Sequence, residues 1–193
     1  MPTPYSIRSQ RGPADFDVRQ AFSATASWTL PAFGRGLAHR LFGDWSLQSV
    51  IQVQTGFPFN PRVGFDRARM RSGFGDLDQR PSLASAVPPV ILGDPARYYD
   101  PMSFILPQAG YLGDLGRNAL TGPGLFTTHL GLHKSLWKNE GQDLRFRFEA
   151  FNATTNPNFD VPSELRLFKS SGGRVGSTGR INTTRQPSRP IQF

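Results

Sequence analysis

The sequence predicts an all-β chain, an antiparallel up-and-down meander of about five strands, on three observations. Apolar and polar residues alternate at period two in several separate runs, and helical periodicity is weak throughout. The third is composition: 20 glycines and 17 prolines stand among 193 residues, a load that argues against a helical protein. Hydrophobic residues make up only 37%, with much of the apolar weight in 16 phenylalanines. That balance suits side chains buried by something other than a thick central core.

The first run covers residues 18–30, with Val18, Phe22, Ala24, Ala26, Trp28 and Leu30 on one face and Arg19, Ser23, Thr25, Ser27 and Thr29 on the other. Its length is roughly that of a membrane-spanning strand. Residues 31–44 then read as a connection, with one turn of helix in 34–41. The second run, 45–55, sets Trp45, Leu47, Ile51 and Val53 against Ser46, Gln48, Gln52 and Gln54, with Val50 on the polar side. In the third run Phe126, Leu130, Leu132 and Leu136 oppose Thr127, His129, Gly131, His133 and Ser135. The fourth, 144–151, opposes Leu144, Phe146, Phe148 and Ala150 to Arg145, Arg147 and Glu149. Residues 191–193 look like the beginning of a fifth strand.

The connections alternate in length: 31–44 and a tight turn at 138–142 are short, whereas 56–125 and 152–179 are long. In a meander, alternate connections share one end of the sheet, so the short turns lie at one end and the long loops at the other. This is the asymmetry of a bacterial outer-membrane β-barrel, and the chain is expected to form part of such a wall with long outer loops. Trp28 closes the first strand, Trp45 opens the second and Trp137 closes the third, so all three are expected at the short-turn end as an interfacial girdle. Trp137 has the parity of the polar face, which a twist at the strand end would have to accommodate. No apolar stretch approaches the length of about 20 residues that a membrane-crossing helix needs.

No catalytic constellation can be assembled. Cysteine is absent, which excludes disulfides and thiolate-bound metals. His129 and His133 share a strand face but are separated by about 13 Å at roughly 3.3 Å per residue, too far for one metal ion. No two carboxylates form a glycosidase-like pair. The glycines at 113–124 and 172–179 lack the Lys-Ser/Thr ending and strand-to-helix setting of a phosphate loop. The net charge of +8 raises nucleic-acid binding. However, in Arg145-Phe146-Arg147-Phe148 the basic and aromatic residues point to opposite faces, so no stacking groove forms and no nucleic-acid partner is expected. Neither an enzyme nor a cofactor or metal site is therefore expected.

Five stretches resemble the C-terminal part of the Oar-like TonB-dependent receptors, the carboxypeptidase-regulatory-like type abundant in Acidobacteria. They are RGPADFDVRQAFSATASWTLP from Arg11, GDWSLQSVIQVQTGFPFNP from Gly43, GRNALTGPGLFTTHLGLHKSLW from Gly116, LRFRFEAFNATTNPNF from Leu144 and GRINTTRQPSRPIQF from Gly179. They cover most of the chain in the family's order. The Gly-Arg-Asn and Gly-Pro-Gly block at 116–124, followed by Phe-Asn…Asn-Pro-Asn-Phe at 151–159, is the more specific part. The resemblance implies a barrel of about 22 strands with an internal plug, which moves a bulky solute inward with energy relayed by TonB. Against that pattern, residues 1–193 read as a C-terminal fragment, lacking plug, TonB box and N-terminal domain. The partners expected are the rest of the barrel and its plug, TonB through the missing N-terminal part, and outer-membrane lipid.

The long loop at 56–125 is the expected ligand-facing region, with Arg62, Arg67, Arg69, Tyr98 and Tyr99 as candidate binding residues. The alternative is a soluble β-sandwich that binds carbohydrate through aromatic loops. The two differ over one surface. A sandwich buries Leu130, Leu132, Phe146 and Phe148 against a second sheet, and a barrel wall leaves them bare.

Overall fold

The structure, a computed structural model, describes residues 10–31, 35–70, 79–139, 141–186 and 190–192, but not the side chains of Arg40 and Lys138. In chain order the strands are β1 (Ala21–Thr29), β2 (Trp45–Gln54), β3 (Pro58–Phe59), β4 (Ser82–Leu83), β5 (Ile91–Asp94), β6 (Arg97–Tyr99), β7 (Phe104–Ile105), β8 (Leu120–Thr121), β9 (Leu125–Asn139), β10 (Gln142–Ala150) and β11 (Ile191–Gln192); the short helix α1 (Leu37–Phe42) lies between β1 and β2. Two compact units result. The sheet unit comprises Gln20–Gln54, Leu125–Asn158 and Arg185–Phe193, and the loop unit comprises Met1–Arg19, Thr55–Gly124 and Phe159–Thr184.

The sheet unit is one antiparallel sheet in the order β1-β2-β9-β10-β11. Every neighbour in space is a neighbour along the meander, as the alternating runs predict. The register aligns the apolar sets across strands: Phe22 faces Val53, which faces Phe126; Trp28 faces Leu47, which faces Leu132, which faces Phe148. On the opposite face Ser27, Gln48, Gly131 and Glu149 form one row, and Thr29, Ser46, His133 and Arg147 another. Side chains alternate strictly along a strand, so this register places all the polar runs on one side.

One irregularity changes a residue's face. Leu144 pairs with Trp137 but Arg145 pairs with Ser135, so Leu136 is an extra residue on β9. Such a β-bulge resets the alternation beyond it. Trp137 thereby comes opposite Leu144, on the apolar face, although its parity assigned it to the other. The hairpin closes with Asn139 opposite Gln142 and with Gly141 at φ 84, a left-handed value that suits glycine. The β1–β2 connection contains the expected helical turn, placed at Leu37–Phe42, and the Gly43 N–H donates to the His39 carbonyl at 2.7 Å. Gly34, where that turn was expected to start, lies outside the described residues. So does Phe193, at the end of the expected fifth strand.

The Phe-Asn…Asn-Pro-Asn-Phe block secures the sheet end from which the long connections leave. The Asn158 Oδ1 accepts the Phe126 N–H at 2.8 Å, the Ala153 N–H donates to the Thr128 carbonyl at 2.7 Å, and the Arg185 N–H donates to the Asn158 carbonyl at 2.8 Å. Asn152, at φ 47, donates through Nδ2 to the Asn156 carbonyl at 3.0 Å. Asparagine tolerates that conformation better than most residues.

The loop unit has a core of its own, with Phe59, Tyr98, Tyr99, Phe104, Leu115, Leu120, Leu167, Phe168 and Ile181 buried together. Tyr99 meets Phe104 edge-on at 5.8 Å and Phe59 at 5.8 Å. Three two-stranded ladders, β3–β8, β4–β7 and β5–β6, frame it. Two motif glycines let the ends of the 55–124 segment close. A Cβ on Gly56 would lie 1.8 Å from the Gly122 carbonyl oxygen, and the Gly122 N–H donates to the Phe57 carbonyl at 2.9 Å. Only glycine permits that approach.

Candidate functional site

The apolar face of the sheet is bare. Phe22 is 62% exposed, Trp28 61%, Trp137 55%, Leu144 56% and Leu130 39%. Within the sheet unit no second layer of described residues covers them, so the buried face that the sandwich alternative requires is not formed there. Besides the expected residues, the face also carries Ser49, Thr128 and Lys134, which share rows with Leu130, Ile51 and Trp45.

Lys134 occupies that face in an unusual way. It stands opposite Trp45 on one side and Phe146 on the other, whose rings meet edge-on at 6.0 Å. The residue is 5% exposed. Its Nζ lies 5.2 Å from the centre of the Trp45 ring and donates to the Gly43 carbonyl. The aliphatic stem thus covers apolar surface while the ammonium reaches back to the short-turn end, where cation–π attraction and the carbonyl stabilise it. Trp28, Trp45 and Trp137 all stand at that end, in β1, β2 and β9 respectively.

The polar face holds paired charges. Arg147 Nε donates to Glu149 at 2.8 Å and Arg145 Nε to Asp143 at 2.7 Å, each pair two residues apart on the same face. His129 accepts the Asn152 N–H through Nδ1 at 3.3 Å and meets Phe151 edge-on. His133 lies over Gly131, where an added Cβ would be 3.0 Å from its Nε2. The two histidines are thus in separate local structures.

The loop unit contains a cavity of about 450 Å³. Arg62, Arg80 and Arg117 line it together with Asp15, Asn118 and Phe57. Asn118, at φ 51, donates through Nδ2 to the Pro13 carbonyl at 2.9 Å and to Asp15 at 2.5 Å, which holds residues 13–15 against the Gly-Arg-Asn block. Arg117 lies 3.7 Å from the same Asp15 carboxylate. Desolvation lowers the Arg80 pKa, and the neighbouring Arg117 charge lowers it further.

Compared with known protein families, residues 1–192 match the model described as "Outer membrane beta barrel domain". The chain belongs to this outer-membrane β-barrel family. No curated protein and no solved structure matches. The barrel assignment agrees with the antiparallel meander and its bare face, and it places the protein in the bacterial outer membrane.

The five residues expected to bind ligand are dispersed in this barrel segment. Arg62 lines the cavity. Arg67 donates from Nε to the Pro107 carbonyl at 2.9 Å, a tie within the loop unit. Arg69 is exposed, at φ 56, and is not part of the cavity lining. Tyr98 and Tyr99, also named as candidate binding residues, are core residues, 8% and 0% exposed. The Tyr98 hydroxyl donates to the Thr121 carbonyl at 3.1 Å, and burial raises both phenol pKa values. Sequence reasoning missed Arg80, Arg117 and Asp15. The Gly-Arg-Asn block was visible, but its contact with residues 13–15 spans about a hundred positions.

Proposed function

We propose that this barrel segment supplies wall strands and outer loops to a TonB-dependent outer-membrane receptor of the Oar-like, acidobacterial type, which takes up a bulky solute with energy relayed by TonB. The observation that carries the reading is the apolar face of a sheet whose edge strand β1 is paired with no further strand among the described residues. Unsatisfied backbone groups in hydrocarbon each cost several kcal/mol, so such an edge requires further strands. In this account residues 1–193 are the C-terminal portion of the receptor. The plug and the TonB-contacting segment belong to the remainder, which pairs with β1 and β11.

The apolar face then meets acyl chains, and Trp28, Trp45 and Trp137 form an interfacial girdle at the short-turn, periplasmic end. Lys134 fits that depth, because its ammonium returns to the level of the girdle. The paired charges of β10 face the lumen. The role is one of wall and ligand contact, without catalysis, and the motif blocks support it by securing the sheet and the base of the long loop.

An antibody against the loop unit, applied to native outer membranes after cross-linking, tests this. The expected result is a species much larger than the 21.4 kDa of this chain that also contains TonB. A 21.4 kDa species in the soluble fraction, free of TonB, would overturn it.

A further inference from the structure

We propose that α1, the helical turn of the β1–β2 connection, lies in the lipid interface at the short-turn end of the barrel, with Leu37, Leu41 and Phe42 inserted among the acyl chains of the periplasmic phospholipid leaflet. The inference goes beyond the receptor reading and rests only on the outer-membrane barrel assignment.

The helix, LAHRLF, is six residues long. At 100° per residue Leu37, Ala38, Leu41 and Phe42 fall within an arc of about 140°, and His39 lies outside it. The arc is uncovered: Leu37 is 73% exposed, Leu41 55% and Phe42 64%, and Ala38 is exposed beside them. So short a helix is marginal in water on propensity alone, and three large apolar side chains facing water add nothing to hold it. An apolar arc opposite a polar side is the pattern of a helix that lies in the membrane interface.

Two contacts tie the helix to the lipid-facing side of the sheet. Trp45 Nε1 donates to the Leu41 carbonyl at 3.0 Å, and Lys134 Nζ donates to the Gly43 carbonyl just beyond the helix end. Trp45 and Lys134 are cross-strand partners in one row of the apolar face, so the last turn of α1 is held from that face at the level of the girdle. The polar side of the helix has a different neighbour. His39 directs Nε2 toward Asp44 at 3.7 Å, and Asp44 lines a cavity with Ser46, Gln48 and His133 of the polar face. Glycine makes this exit from the helix possible, because a Cβ on Gly43 would lie 2.7 Å from both the carbonyl oxygen and Nδ1 of His39. The arc therefore continues the bare surface that carries Trp28 and Trp137 at the same end, and the lipid that covers that surface is the occupant it fits.

The test is fluorescence quenching in the vesicle-borne barrel that contains this chain. These 193 residues have no cysteine, so Leu37→Cys, His39→Cys, Leu41→Cys, Phe42→Cys and, on the sheet, Leu130→Cys each carry one bimane label on this chain. Quenching by phospholipids brominated at several depths is compared with quenching by aqueous iodide. Labels at 37, 41 and 42 should be quenched by brominated lipid at a depth of about 5–10 Å inside the headgroup boundary, and the label at 39 by iodide. Adding Leu37→Ser and Leu41→Ser together should bring the label at 42 within reach of iodide and leave the label at 130 quenched by lipid. The Trp45 bond is to a backbone carbonyl, so these replacements keep the tie. Labels at 37, 41 and 42 reached by iodide alone, labels there shielded from both quenchers by another part of the barrel or its plug, or a label at 42 unmoved by the paired serines would each overturn the inference. With the label at 130 still quenched by lipid, that failure leaves the barrel wall standing; iodide reaching 130 as well would sink the wall reading with it.

Discussion

Leu130→Arg, set against Leu144→Arg, measures what the sheet's apolar face touches. Leu130 is on the central strand β9, opposite Ser49 and Ala150, and is 39% exposed. It lies four residues from Lys134, whose row contains Trp45. Four residues span about 13 Å along a strand, or about 10 Å along the membrane normal at a tilt near 40°. The apolar band of such barrels is about 25 Å tall, so Leu130 lies close to its middle. Leu144 lies beyond the Trp45 level, opposite Trp137, at the interface. Arginine at the midplane costs about 2–4 kcal/mol and near the interface about 0–1 kcal/mol. The assay is urea unfolding of the assembled barrel in lipid vesicles, followed by tryptophan fluorescence. A difference of about 2 kcal/mol or more between the two variants is expected. Equal costs would refute the reasoning: a water-facing surface changes by no more than about 0.5 kcal/mol at either site.

Other consequences follow from individual contacts. Gly56→Val sets a Cβ where the Gly122 carbonyl oxygen stands 1.8 Å away, and should cost about 3 kcal/mol or prevent loop closure, read as increased protease cleavage within 56–124. Phe104→Ala should cost about 3–5 kcal/mol, because its fully buried ring packs on Tyr99, and calorimetry reads the loss. Trp45→Leu removes the ring beside the Lys134 ammonium and should cost about 1 kcal/mol in a urea titration; no change would show that contact to be inert. Burial first, then the Glu164 charge, raises the Tyr99 pKa above 10.0, so the fold favours the neutral phenol. Its contribution is complete below about pH 10 and is lost as pH rises toward the folded value. Tyr99→Phe should therefore flatten the alkaline fall in stability of the loop unit, and an unchanged fall would count against this cause.

The sheet was legible because period-two alternation is a local property: each run shows its faces without knowledge of its neighbour. Trp137 shows where that stops. Leu136 is an extra residue only relative to β10, so the bulge that moves Trp137 to the apolar face is invisible along β9 alone. Lys134 was overlooked for a similar reason, since a charge at an apolar position looks like a break in the pattern until Gly43 and Trp45 are seen to receive it. Tyr98 and Tyr99 looked like ligand-facing aromatics because the segment has no periodicity. Their burial depends on Phe59, Leu167 and Phe168, which come from two stretches distant in the sequence from residues 98–99. The cavity was illegible on the same ground, whereas the Gly-Arg-Asn and Gly-Pro-Gly words pointed to the right places without revealing what they hold.

Contact of the apolar face with acyl chains can be measured directly by spin labelling along β9. These 193 residues have no cysteine, so single cysteines at residues 126, 130 and 132, and at 127, 129 and 133, can each be labelled without a competing thiol from this chain in the vesicle-borne barrel. Collisions with oxygen, concentrated in lipid, and with a water-soluble nickel chelate are then compared. The even positions are predicted to favour oxygen and the odd positions to be shielded from it, with a period of two. Even-numbered labels shielded from both reagents, or reached mainly by the nickel chelate, would contradict the account.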